Sequence, residues 1–294
     1  MRFFLAFSHP KWYNTNRQTD SKSRKVFCAL TRKSCDVSNG FWILQAEMPA
    51  QTAEQALFAA VESEHPNLVV LTGAFPNEAF SERMDALDLP WMFVPSAADD
   101  IERKHGEAVL AKSHSVVFGS DCSEFRLIGS DGKIRWLFLG LPTRRVHAAR
   151  GTGFACLDHA QVEGYIQTKW TVYGEEETFA TLLFVHDPLP EHLHLLQNTE
   201  YAAVPVCWSN LRNPGLFAAA REDKRALAIF CGSGGLEEPF CGQNESITLG
   251  FAPRASIGCR LIHVSESGNK PSFETKIVPY ANRSAESSNH QKGV

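Results

Sequence analysis

The feature that most constrains the fold of this chain is a series of short apolar runs that each end in a small or polar residue. These runs cover residues 41–44, 68–71, 91–94, 181–185 and 226–230. Between the first three runs, apolar residues recur with helical spacing over 52–64, with Thr52 as the expected N-cap, and over 77–87. Strands that alternate with helices are typical of a parallel sheet covered on both faces.

The middle and the end of the chain have a different pattern, in which strands follow one another closely. Strands are predicted at residues 115–118, 124–128 and 135–140, and Asp131-Gly132 is a hairpin signal between the last two. A helix is predicted over 158–168, and a closing group of strands over 247–279. The simplest architecture is two sheets that meet in one core, with helices on the outside.

Size, composition and charge favour an intracellular, soluble, globular protein. They do not identify its compartment. The 294 residues are enough for one large domain, and 44 % apolar with 21 % charged residues is ordinary for such a domain. The net charge of −4 argues against a general affinity for nucleic acid or acidic membranes, although uneven charge leaves a nucleic-acid partner open. We expect no membrane segment, because no run approaches roughly 20 apolar residues. Residues 1–7 are too short for a signal-peptide core and are predicted as a strand.

Residues 11–40 form a basic insertion within a single domain that spans residues 1–280. Seven basic residues face two acidic ones here, so the segment carries +5 and the rest of the chain −9. We expect either a solvated insertion, which we favour, or an arm that docks on an acidic partner. Residues 281–294 have almost nothing apolar to bury and are expected to form a disordered polar tail.

Five segments stand where the predicted strands end. Open α/β sheets bind their ligands at the carboxyl ends of strands. The segments are Gln45-Ala46-Glu47-Met48, Thr72-Gly73-Ala74, Pro95-Ser96-Ala97-Ala98-Asp99, His186-Asp187-Pro188 and Cys231-Gly232-Ser233-Gly234-Gly235. In order and spacing they resemble the metal-ligand motifs of the calcineurin-like metallophosphoesterases, and the surrounding runs extend the resemblance over residues 41–280. The resemblance implies a four-layered α/β/β/α sandwich of two facing mixed sheets.

This chain departs from the family pattern at nearly every metal ligand. The resemblance places ligands at positions now held by residues without a suitable donor: Ala46, Met48, Ala74, Ala97, Ala98, Ser233 and Gly235. Only His186 keeps its type, together with Asp99, which lies outside the metal's direct ligands in the family. Alanine and glycine side chains offer no ligand atom, and methionine sulfur is a soft donor. An alternative alignment of the first motif on Ser8-His9-Pro10 restores a single histidine.

These losses predict a catalytically inactive, metallophosphoesterase-like protein that acts as a scaffold or subunit in a protein complex. We expect no catalytic residue, no metal and no cofactor, and we expect protein partners. One alternative is a residual metal-dependent phosphoesterase or hydrolase with a rearranged site made of Asp99, His186, His192 and His194. On a strand or turn, the H-x-H spacing of the last two would put both rings on one side. The other alternative is a sensor that binds a phosphorylated small molecule in the former cleft.

Overall fold

Two β-sheets face each other in the computed structural model, and helices cover the outer side of each sheet. The structure describes residues 13–18, 27–34, 40–97, 100–119, 122–146, 154–157, 159–175, 179–197, 215–234, 236, 238–267 and 270–280. No helix among these residues is both long and apolar enough to cross a membrane.

The smaller sheet has six strands, four of them parallel to one another. In spatial order its strands are β16 (Lys270–Pro279), β15 (Gly258–Ser267), β3 (Phe41–Glu47), β4 (Leu68–Gly73), β5 (Trp91–Pro95) and β6 (Val116–Val117). The first two are antiparallel to their neighbours. The parallel strands are connected by α1 (Glu54–Glu64), α2 (Glu78–Asp85) and α3 (Asp100–Leu110). This is the strand–helix alternation that the sequence predicts.

The larger sheet has eight strands of mixed direction. In spatial order these are β1 (Tyr13–Gln18), β2 (Phe27–Ser34), β7 (Cys122–Ile128), β8 (Ile134–Leu141), β11 (Ala180–Val185), β12 (Ala226–Cys231), β14 (Ile247–Phe251) and β13 (Cys241–Asn244). Its helices are α4 (His159–Glu175), α5 (Pro190–Gln197) and α6 (Leu216–Glu222). A separate two-stranded ribbon joins β9 (Arg144–Val146) to β10 (Phe154–Cys156).

An aromatic core fills the space between the two sheets. The rings of Phe41 and Phe138 lie 5.9 Å apart across this space, and both side chains are fully buried. At Gly140 the sheets come so close that an added Cβ would lie 2.6 Å from Cγ2 of Val94. Two further apolar cores lie outside the sheets: Phe58 and Phe80 pack from α1 and α2 on one side, and Tyr165, Val172, Leu196 and Phe217 pack from α4, α5 and α6 on the other. The predicted α/β/β/α order of layers is therefore confirmed.

The local predictions need several corrections. Residues 13–18 and 27–34 of the basic segment are strands at the edge of the larger sheet, where the sequence led us to expect a solvated insertion. Thr52 does not cap α1, because a short 3-10 turn precedes that helix and its N-cap residue is Ala53. Helix α4 continues to Glu175, well past the predicted end at 168. The predictions for residues 1–10 and 281–294 lie outside the described residues.

Candidate functional site

The carboxyl ends of strands from both sheets meet at one rim of the sandwich, as the sequence predicts. The Gln45 side chain at the end of β3 donates through Nε2 to the carbonyl of Cys231 on β12, at 2.9 Å. Oγ1 of Thr72 on β4 lies 3.3 Å from Nδ1 of His186, which follows β11. The end of β5 lies at the same rim, because the backbone N–H of Ser96, which follows β5, donates to the carbonyl of Gly73 at 2.7 Å.

Glu47 is the residue at this rim that the sequence analysis did not single out as functional. Its Oε1 accepts a hydrogen bond from the backbone N–H of Ser233 at 2.5 Å, across 186 residues of sequence. The carboxylate is half-buried and Ser233 is buried. Glu47 therefore joins the end of the smaller sheet to the loop that follows β12 in the larger one. Its sequence signal is modest: it is one acidic side chain at a predicted strand end.

Backbone, with no side chain, fills the space between Glu47 and His186. A Cβ added at Gly232 would lie 2.9 Å from Oε1 of Glu47 and 3.1 Å from Nδ1 of His186. Gly73 approaches from the other sheet with φ at 131°, a backbone conformation that favours glycine. A Cβ there would lie 3.4 Å from Cβ of Met48 and 3.5 Å from Cε1 of His186. The polar groups that remain at the rim are thus held by close-packed main chain.

Successive side chains at the end of β3 point to opposite faces of the smaller sheet. Ala46 is fully buried and packs into the core on the helix side of the smaller sheet. Because side chains alternate along a strand, Gln45 and Glu47 are the residues of β3 that face the other sheet. The end of β3 therefore directs Gln45 and Glu47 toward the rim, whereas Ala46 packs on the helix side of the sheet. Ala74 is exposed and Ala97 is half-buried, while Ala98, Asp99 and Gly235 lie outside the described residues.

The structure separates the histidines of the proposed rearranged site. His192 and His194 lie on α5, a helix, where residues two apart point in different directions. His192 is fully buried against the Phe251 ring, and its Nδ1 accepts from Leu189 N at 3.2 Å, whereas His194 is exposed. Burial lowers the pKa of His192 to about 3, with the Ile229 backbone acting in the opposite direction. The expectation that both rings share one side of a strand or turn is wrong.

The thiol of Cys231, at the end of β12, is placed for packing. The side chain is fully buried, and burial raises its pKa well above the usual value, with the nearby Glu47 carboxylate adding to the rise. A buried thiol of raised pKa is a poor nucleophile and a poor metal ligand. The rim therefore combines the Glu47 carboxylate, the His186 imidazole and the Gln45 amide with an inert thiol, and Asp187 lies near enough to raise the pKa of that thiol further.

Comparison of the coordinates with solved structures finds proteins with the same arrangement of sheets and helices. The similarity to GAP50, the anchor in the inner membrane complex of Plasmodium, has a TM-score of 0.50 at 7 % identity and covers 83 % of this chain and 85 % of that one. A 5′-nucleotidase of Staphylococcus aureus gives 0.49 at 7 %, covering 82 % and 54 %. The sulfate thiohydrolase SoxB of Thermus thermophilus gives 0.44 at 13 %, covering 78 % and 42 %.

The fold is that of the metallophosphoesterases. No family model matches the sequence, and no curated protein matches it either. This chain spans about half the length of the nucleotidase.

The residues at the rim do not fit the two-metal centre that metallophosphoesterases carry. Such a centre needs a shared carboxylate and several imidazole or carboxylate ligands around ions roughly 3.5–4 Å apart. Within the part of the chain that the structure describes, no group of three or more His, Cys, Asp or Glu is placed to hold a metal ion. Glu47 is engaged with Ser233 N, and His186 contacts Thr72. Among the described residues, the donor set therefore lacks the number of ligands that a metal pair needs.

Proposed function

We propose that this chain is a non-catalytic metallophosphoesterase-like protein that serves as a scaffold or subunit in a protein complex. The observation that carries the proposal is the bond between Glu47 Oε1 and Ser233 N. In a two-metal enzyme a strand-end carboxylate is kept for the ions. In this chain the carboxylate stabilises a backbone loop and joins two sheets.

The neighbourhood of that bond supports the same proposal. Gly232 lies so close to Glu47 and His186 that a Cβ on it would touch both, which leaves little room for ions and their water ligands between these groups. Nε2 of Gln45 and the carboxylate of Glu47 form hydrogen bonds across the rim, a pattern typical of a structural contact.

The similar structure of GAP50 supports a structural role for this fold. That protein is the anchor in the inner membrane complex of Plasmodium, and this chain spans 85 % of it. At 7 % identity the similarity concerns the fold alone. It shows a metallophosphoesterase-like sandwich in an anchoring role, and we extend that kind of role to this chain as part of the proposal.

Hydrolase activity is the first test of the proposal. Purified protein with added Mn²⁺ or Zn²⁺ is expected to hydrolyse bis(p-nitrophenyl) phosphate and p-nitrophenyl phosphate no faster than a blank. Any rate above the blank must be compared with that of His186→Ala and Glu47→Gln. Metal-dependent turnover that both variants abolish would contradict the proposal, since it would place these residues in a working site.

The partner surface that we propose is the basic segment 11–40, whose strands β1 and β2 form one edge of the larger sheet. Its excess charge of +5 on a chain of −4 would steer association with an acidic protein partner. The triple variant Lys22→Gln, Arg24→Gln, Lys25→Gln keeps both strands and removes three charges. It is expected to lose partners recovered by affinity capture from the native source. A matched triple variant at exposed lysines outside this segment, Lys104→Gln, Lys112→Gln, Lys224→Gln, should retain them; equal recovery by both variants would exclude this segment as the partner surface.

A further inference from the structure

The edge of the smaller sheet is formed by β16, the longest strand at a sheet edge in the described part of the chain. It has ten residues, whereas the other edge strands of the two large sheets, β1, β6 and β13, have six, two and four, and the ribbon strands β9 and β10 have three each. On one side β16 pairs with β15 over its whole length. On its other side no strand of the described residues pairs with it, and such an edge is a template for another strand.

The ladder with β15 determines which residues of β16 face outward. Tyr280 N donates to the carbonyl of Ile257 at 2.8 Å, so the hydrogen-bonded pairs with β15 fall on the even-numbered residues of β16. The odd-numbered residues therefore point their backbone groups away from the sheet. Among them Phe273, Thr275 and Ile277 each have a free N–H, whereas Pro271 and Pro279 have none.

The side chains of β16 are also divided by this alternation. Phe273 packs toward the core between the sheets, with its ring 6.0 Å from that of Phe230, and Thr275 accepts from Nη1 of Arg260 on the same face. The even-numbered side chains face the helix side, where Glu274 and Lys276 are both exposed. Lys276 has a long contact of 3.4 Å with Glu64 of α1 and remains 60 % exposed.

We infer that β16 pairs antiparallel with β16 of a second copy of this chain, about a two-fold axis at Thr275. Two-fold dimers are the commonest assemblies of identical chains, and both partners present the same patch to each other. In this register Glu274 of each chain lies directly opposite Lys276 of the other. Phe273 lies opposite Ile277 on the inner face, and Pro271 opposite Pro279.

Charge and backbone chemistry select this register over its neighbours. In the dimer, residues whose backbone groups point away from β15 must lie opposite residues of the same kind in the other copy. A two-fold axis at residue 274, 275 or 276 satisfies this condition. An axis at 274 places Glu274 against Glu274, and an axis at 276 places Lys276 against Lys276. Only the axis at Thr275 sets opposite charges against each other, and like charges directly opposite are destabilising.

Charge reversal tests this inference without disturbing the interior. The whole chain is expected to sediment as a concentration-dependent dimer. Glu274→Lys and Lys276→Glu each turn two attractive cross-strand pairs into repulsive ones, and each should raise the dimer dissociation constant about ten-fold or more. The double variant Glu274→Lys, Lys276→Glu restores the pairs and should recover wild-type dimerisation. Glu163→Lys, an exposed reversal on α4, is the matched control and should leave the dimer unchanged.

A crosslinking experiment tests the register itself. Residues opposite each other in a non-hydrogen-bonded pair have Cα atoms about 4.5 Å apart, which suits a disulfide. Glu274→Cys and Lys276→Cys chains, mixed and oxidised, should give a crosslinked dimer whose disulfide joins Cys at 274 to Cys at 276. Each variant oxidised alone should give much less of a 274–274 or 276–276 bond.

Two results would overturn the inference. One is a wild-type chain that stays monomeric up to about 1 mM; Pro271, Pro279 and the lysines of β16 would then protect the edge against pairing. The other is a dimer that is indifferent to all three charge variants, which would place the interface elsewhere. The inference depends on the edge strand alone, so the presence or absence of hydrolase activity leaves it unaffected.

Discussion

Replacement of Glu47 by alanine tests whether the strand-end carboxylate has become a structural residue. The change removes the acceptor of Ser233 N, at 2.5 Å, from a site where Ser233 is 3 % exposed. A hydrogen bond to a charged group contributes about 1.5–3 kcal/mol. Glu47 is half-buried, so solvent competes for its carboxylate and the lower part of that range applies. We expect the free energy of unfolding to fall by about 1.5–2 kcal/mol.

The direction of the change in Tm distinguishes a structural carboxylate at Glu47 from one that is kept for function. In a chain of this size each kcal/mol corresponds to roughly 2 °C in Tm, so Glu47→Ala should lower Tm by about 3–4 °C. A carboxylate kept for function usually costs stability, and its removal leaves Tm unchanged or raises it. Glu47→Gln keeps a neutral acceptor and should lose about half as much. Glu82→Ala, on the exposed face of α2, is the surface control and should leave Tm within about 1 °C.

The assay is differential scanning calorimetry of the four proteins at one pH without added metal. A Tm of Glu47→Ala equal to or above that of the wild type would refute the reasoning. It would mean that the hydrogen bond contributes nothing net and that the carboxylate is retained for another purpose. The proposal of a structural rim would then lose the observation that carries it.

Three further predictions follow from buried groups elsewhere. Asp223→Ala removes the acceptor of the buried Tyr165 hydroxyl and of the half-buried Tyr173 hydroxyl and should cost about 3 kcal/mol, measured by urea unfolding; an unchanged midpoint would contradict this. Gly140→Ala places a Cβ 2.6 Å from Val94 and should cost about 1–3 kcal/mol, whereas Gly164→Ala in α4 meets nothing within 4 Å and should be neutral or stabilising. His192 has a folded pKa of about 3 against 6.5 unfolded, so the unfolded chain binds the extra proton. Its contribution is complete above pH 6.5 and is lost as pH falls toward 3, at about 1.4 kcal/mol per unit. The pH dependence of stability over this range should be shallower in His192→Leu, and equal slopes would refute the assignment.

The strands at the centre of the fold were predictable because each is an apolar run with a clear end. The runs of β4 and β5 stop at Thr72-Gly73 and at Pro95, and both strands are buried throughout. A continuous apolar run bounded by such residues has few other ways to bury itself. The hairpin between β7 and β8 was equally clear, since Gly132 adopts the positive φ of 80° that a tight turn requires.

The elements missed were those whose signal is short or polar. Helix α5 begins with Pro190 and Glu191, which are good first-turn residues, but its eight residues include the H-x-H spacing that we assigned to a strand or turn. Strands β1 and β2 are largely polar, and they become strands by pairing along the edge of the larger sheet beside β7. Pairing partners far along the chain leave little trace in local composition.

The position of the rim was predictable, but the side chains of β3 that face it were not. The sequence gives the five strand ends, and a resemblance to metallophosphoesterases brings them together. Which side of β3 faces the other sheet depends on where α1 packs, and this placed Glu47, not Ala46, at the rim. The partner of Glu47 is 186 residues away, so no local pattern announces the bond.

Metal content is the measurement that tests the central claim most directly. The whole chain would be expressed with added Mn²⁺ and Zn²⁺, dialysed without chelator, and analysed by inductively coupled plasma mass spectrometry beside His186→Ala and Glu47→Gln. We predict far less than one ion per chain, with no difference among the three proteins, because the described residues of the rim include too few ligands for a metal pair. One or more tightly held ions per wild-type chain that both variants lose would contradict the account.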